Sequence, residues 1–158
     1  MDSGLSLWII SEKRTTMKIT KILLIDWCLL PLSILSFFTG LELHLAGHGD
    51  SHEEWHNWAV VHVIASLLFL VAGIYHIKTH GKWYRSLLKK GRSRKSKITL
   101  AISIVFAATV ITGIALLGVE GANSRIGLWH YKIGLLMGLF AIIHIVKRKT
   151  AFLSIFKR

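Results

Sequence analysis

Residues 58–78 read WAVVHVIASLLFLVAGIYHIK, and residues 127–147 read GLWHYKIGLLMGLFAIIHIVK. Each is an apolar run with a histidine toward either end: His62 and His76 in the first, His130 and His144 in the second. Both intervals are 14 residues. On a helix this is two heptads, so in a left-handed bundle both imidazoles of a run keep one face. With a rise of about 1.5 Å per residue, the two rings stand roughly 21 Å apart along the axis. A hydrocarbon core is about 30 Å thick, so each run offers one histidine near each membrane surface.

Two more apolar runs surround these. The four cover about 21–44, 55–80, 98–118 and 126–146, and they give the 158 residues a mean hydropathy of +0.53 with 53% hydrophobic residues. This is too apolar for a soluble domain of this size and predicts an all-α chain, a transmembrane four-helix bundle of up-down-up-down topology over residues 19–148. Residues 1–18 are expected as a loose N-terminal extension and 149–158 as a basic interfacial tail. No small-residue cleavage site closely follows the first run, so it reads as a retained span. Pro31 inside it is expected to kink the helix, which membrane helices tolerate. Asp26, Ser33 and Gly40 recur every seven residues along the first run, and Ala101, Ala108 and Ala115 along the third. Both stripes are small or polar and are expected to face the bundle.

The net charge of +12 does not point to nucleic acid, because it is segregated. Eighteen of the 20 Lys and Arg lie up to the first residue of the first run, from the end of the second run to the third, or after the fourth; Arg125 and Lys132 are the exceptions. The first loop, roughly 45–56, with AGHGDSHEEWHN at 46–57, has none. The positive-inside rule then predicts a multi-pass membrane protein with both termini cytoplasmic. Trp55, Trp58 and Trp129 fall at the outer interface, Trp27 and Trp83 at the inner one, as an aromatic belt would. His62 and His130 then lie near the outer surface, His76 and His144 near the inner one.

Ionisable residues within membrane helices are rare, costly and usually functional. One histidine could simply hydrogen-bond a neighbouring helix. Four with matched spacing and matched depth point instead to two facing pairs. Facing imidazoles in an apolar bundle are how a low-spin haem b is held, so the expected cofactors are two haem b, ligated by His62/His130 and His76/His144. They would be non-covalent, because Cys28 is the sole cysteine and no CxxCH exists. With both axial positions filled, such a haem moves electrons and does not activate oxygen.

The neighbours suit this expectation. Ala65 and Ser66, Gly73, Gly134 and Ala141 lie about one turn from the four histidines and leave room for a macrocycle. Phe69 and Met137 fall midway between them. Arg125 and Lys132 are the outer cations available to anionic propionates. Asp26 has three readings: a carboxylate that holds a ligand imidazole, a proton route to a quinone, or an interfacial acid near Lys21. His80, one turn past His76, competes with it as the inner ligand. His44, His48, His52 and His56 recur every four residues beside Asp50, Glu53 and Glu54, in the manner of a zinc or copper site. Gly47 and Gly49 weaken a helix there, so a solvated polar loop is the favoured reading. The segments 83–90 and 152–158 mix apolar and basic residues and read as interfacial segments on anionic lipid.

With HVIASLLFLVAGIYH on the second run and HYKIGLLMGLFAIIH on the fourth, residues 20–148 resemble the flavinylation-associated cytochrome family of small bacterial membrane proteins. The resemblance implies a bis-histidine cytochrome passing electrons between membrane quinol and an extracytoplasmic flavoprotein. It would be either an electron carrier or the quinol-oxidising membrane subunit of an oxidoreductase. Two other classes stay open: a membrane metal-binding or metal-transport protein using the outer histidine loop, and an anchor subunit without cofactor.

Overall fold

The computed structural model describes residues 3–90, 94–119 and 124–153. Within them the protein is all helix: α1 (Ser3–Ala46), α2 (His52–Thr79), α3 (Gly81–Lys90), α4 (Arg94–Leu116) and α5 (Arg125–Leu153). Four segments are long and apolar enough to cross a membrane: Lys21–Ala46, His52–Thr79, Lys97–Leu116 and Arg125–Lys149. They correspond to the four apolar runs. Large side chains such as Ile34, Ile64, Val71, Ile104, Ile111 and Ile142 point outward, each more than half exposed. In water such a girdle would drive aggregation. Against lipid tails it costs nothing, while the helices satisfy their own backbone groups.

The first helix is longer than the apolar pattern suggests. The N-terminal segment expected to be loose is, from Ser3 onward, continuous with α1. The helix passes through Pro31 without interruption. The second helix also starts earlier than the hydropathy indicates. Ser51 is its N-cap, with an extended backbone and a side chain that accepts a hydrogen bond from Glu54 N at 3.2 Å. Glu53 and Glu54 occupy the first turn, where the helix dipole favours negative charge. His52 and His56, expected in the loop, are therefore helical.

The short α3 follows α2 after the single turn residue His80. Trp83 and Tyr84 are half-buried, and Tyr84 Oη pairs with Ser103 Oγ on α4 at 2.7 Å, tying α3 to the bundle. The residues of the C-terminal tail beyond Leu153 lie outside the described residues.

The helices pack as two hairpins. α1 lies along α2 and α4 along α5, and the hairpins meet where α1 touches α5. They meet again where Phe106 of α4 packs edge-to-face on Phe69 of α2, ring centres 5.7 Å apart. Gly73 makes room for that ring: a Cβ there would stand 2.7 Å from Phe106 Cζ. Gly138 on α5 does the same for Phe37 of α1, at 2.6 Å. α2 and α5 thus lie across the bundle from one another, with His62, His76, His130 and His144 part-buried between the helices.

Candidate functional site

At one end of the bundle, His62 and His130 face each other with ring centres 6.2 Å apart and planes at 69°. Each ring is fixed by a threonine from its own hairpin. His62 Nδ1 is 3.1 Å from Thr39 Oγ1 on α1, and His130 Nδ1 is 2.9 Å from Thr112 Oγ1 on α4. The direction of these bonds follows from the threonines. Thr39 Oγ1 has one proton, and it has backbone carbonyls to give it to, Leu35 O at 2.9 Å and Ser36 O at 3.2 Å. Thr112 Oγ1 likewise reaches Ala108 O at 2.8 Å and Thr109 O at 3.1 Å. Each threonine oxygen is then left to accept, so each imidazole donates from Nδ1–H and keeps its lone pair on Nε2. The Nε2 of His62 has a 3.4 Å contact with Ser66 Oγ, which has a nearer partner in Ser36 Oγ at 2.9 Å. Thr39 is only 1% exposed, so the anchor is shielded from water.

A glycine follows each threonine, and both glycines are there for the rings. A Cβ on Gly40 would lie 2.9 Å from His62 Cε1, and one on Gly113 would lie 3.1 Å from His130 Cε1. The two halves therefore repeat one device. S-F-F-T-G-L-E-L at 36–43 stands against T-V-I-T-G-I-A-L at 109–116, with Thr39–Gly40 and Thr112–Gly113 in register. The sequence reading singled out Gly40 as part of a small-residue stripe and passed over both threonines and Gly113. The signal was the repeated Thr-Gly pair, each on the helix preceding a histidine helix.

At the other end, His76 Nδ1 is 2.7 Å from Asp26 Oδ1 on α1. A carboxylate only accepts, so His76 also donates from Nδ1–H and keeps Nε2 free. His80 Nε2 is 3.9 Å from the other oxygen, Asp26 Oδ2, and the two imidazoles are 4.7 Å apart centre to centre. A cavity of about 260 Å³ opens here, lined among others by Asp26, His76, His80, Thr99, His144 and Arg148. The cavity thus brings His76 and His144 onto one wall system, with His80 on it as well.

The other candidate residues are placed as follows. Gly134 faces open space, with nothing within 4 Å of a Cβ. Lys132 Nζ sits over the Trp129 ring at 5.6 Å, and Arg125 opens α5 as an exposed residue. Among the described residues the outer histidines form no group of three metal-ligating side chains, although the His44 and His48 rings meet edge-on with centres 4.7 Å apart. His44 stacks on Tyr131 with ring centres 3.6 Å apart, His48 Nδ1 is 2.8 Å from His44 O, and His52 stacks on Trp55. The one cluster of three or more metal-ligating groups among the described residues is Asp26, His76 and His80, whose ligand atoms lie within 4.8 Å of one another.

The arrangement suits a haem at the His62/His130 end. Imidazole nitrogens bind metals at about 2 Å, which puts the ring centres of two imidazoles on one iron roughly 6 Å apart. The observed ring spacing is compatible with this, the Nε2 of His62 meets only the long 3.4 Å contact to Ser66, and the Nδ1 atoms carry the outer hydrogen bonds that fix ligand tautomers. Comparison of the chain with protein-family models, with curated proteins and with solved structures gave no match. What the fold and the residues define together is an all-helical protein with four segments able to cross a membrane, and with histidines turned into its centre.

Proposed function

We propose that the protein is a dihaem b-type membrane cytochrome that passes electrons across the bacterial inner membrane. His62 and His130 would hold one haem and His76 and His144 the other. The observation that carries this reading is the His62–His130 pair, 6.2 Å apart with both Nδ1 atoms anchored on threonine. Each bound haem would supply a one-electron carrier with no open coordination site. The chain's own residues fix the ligand tautomers, exclude water at Thr39 and leave room beside the rings at Gly40 and Gly113. The charge segregation supports an orientation with both termini and α3 cytoplasmic, which puts His62/His130 at the outer surface. The family resemblance supports membrane quinol and an extracytoplasmic flavoprotein as redox partners.

A pyridine haemochrome assay on purified protein is the direct test, with two haems per chain expected. Colourless protein with empty sites after haem supplementation would end the reading. Reporter fusions active only outside the cytoplasm should be silent at Arg158 and active at Gly49; the reverse pattern would exchange the two sites between leaflets.

The Asp26–His76–His80 cluster favours a second reading, a divalent metal site at the inner end. It replaces the outer histidine loop as the place where a metal-binding function would reside. Stoichiometric zinc or copper without haem would establish it.

A further inference from the structure

The two halves of the bundle repeat one another at the His62/His130 end and part company at the other. The α1–α4 register that matches Thr39 with Thr112 matches Asp26 with Thr99. Both residues line the cavity shared by His76 and His144. At the first end both imidazoles donate to neutral hydroxyls. At the second, one imidazole donates to a carboxylate at 2.7 Å. Here one half sets a carboxylate against a histidine where the other half has a hydroxyl on the same cavity wall.

Resting on the dihaem reading, we propose that Asp26 is a positioning residue that sets the direction of electron flow. It holds the His76/His144 haem at a lower potential than the His62/His130 haem, so electrons run downhill from the carboxylate end to the hydroxyl end. The reason is electrostatic. A carboxylate that accepts from the imidazole N–H makes that imidazole a stronger electron donor, and its charge favours the ferric over the ferrous iron. A threonine oxygen fixes the same tautomer without adding charge. Two groups near the site oppose the effect, Arg148 and, when protonated, His80. Both are exposed and screened by solvent, whereas Asp26 is 17% exposed and bonded directly to the ligand. With the cytoplasmic end as donor, the device drives electrons outward.

Spectroelectrochemical titration of the full-length holoprotein tests this. Two components are expected, and His76→Ala should remove the lower one while His62→Ala removes the higher. Asp26→Asn keeps the shape and an acceptor oxygen but removes the charge. It should move the lower component upward and shift the electron equilibrium between the haems about tenfold, about 59 mV for a one-electron couple. Asp26→Glu should restore most of the gap. An Asp26→Asn protein with both haems and unchanged potentials overturns the inference and leaves the dihaem reading standing. If Asp26→Asn loses a haem, the histidine variants decide: a lower component that vanishes in His62→Ala overturns the proposal. Absence of haem from the unmodified protein overturns both.

Discussion

At one end of α2 an imidazole leans on a threonine; 14 residues on, the next leans on an aspartate. Both bonds fix the ring and leave the same nitrogen free. The difference lies in what surrounds them. The threonine end is closed, with Thr39 buried and a glycine pressed against each ring. The aspartate end opens on a cavity and carries a spare imidazole, His80, and a cation, Arg148. Orientation alone needs only a hydroxyl. A carboxylate in the same role adds charge, and the open cavity lets other groups join.

On the dihaem reading, the largest test of this contrast removes the proposed ligands. His62→Ala and His130→Ala should each abolish the same haem and spare the other, with the double variant costing little more, because a pair acts as a unit. His76→Ala and His144→Ala should do the reverse. Haem counts and redox titrations would show it; depletion of one component by both His62→Ala and His144→Ala would refute the pairing. Should His76→Ala leave both haems low-spin, His80 is the ligand at the open end.

Next comes crowding. Gly40→Ala forces a Cβ to 2.9 Å from His62 Cε1, and overpacking of this kind costs about 1–3 kcal/mol. Haem occupancy at the closed end should fall in Gly40→Ala and fall less in Gly113→Ala, where a Cβ would stand 3.1 Å from His130 Cε1. A smaller effect is expected from Thr39→Val or Thr112→Val. Each removes the bond to the imidazole, worth about 1 kcal/mol, along with the hydroxyl's own bonds to backbone carbonyls, and should weaken haem retention on dilution without changing the number of sites. The smallest is Ser51→Ala. It removes the α2 cap and should lower thermal stability by about 0.5–1 kcal/mol while leaving the absorption spectrum as it was.

The spans were legible because a membrane helix announces itself by length and hydropathy, and the histidine intervals because charge-bearing groups stand out within it. The start of α2 was obscured by glycines at 47 and 49, although Ser51 followed three residues later by Glu54 is a capping pattern. The threonine anchors were harder. Threonine and glycine are ordinary in membrane helices, and only the facing of helices distinguishes Thr39 and Thr112 from Thr109. The small stripe on α1 does meet α2, through Asp26 and Gly40. The alanine stripe on α4 gave less, since His130 is met by Thr112 and Gly113 instead. His80 was seen as a rival to His76; that both would approach one carboxylate is a matter of how α1 lies on α2.

The division into two hairpins bears on how the molecule is made. Each histidine pair takes one ring from each hairpin, so neither half owns a complete site. On the proposed reading the cofactor is then a staple across the seam, and its binding energy is added to the cohesion of the halves. A ligand at a hundred times its Kd adds about 2.7 kcal/mol. Synthesis runs from the N-terminus, so the first hairpin is made before its partner. Cofactor supply would therefore act as an assembly checkpoint, sorting paired hairpins from those left to the quality-control proteases.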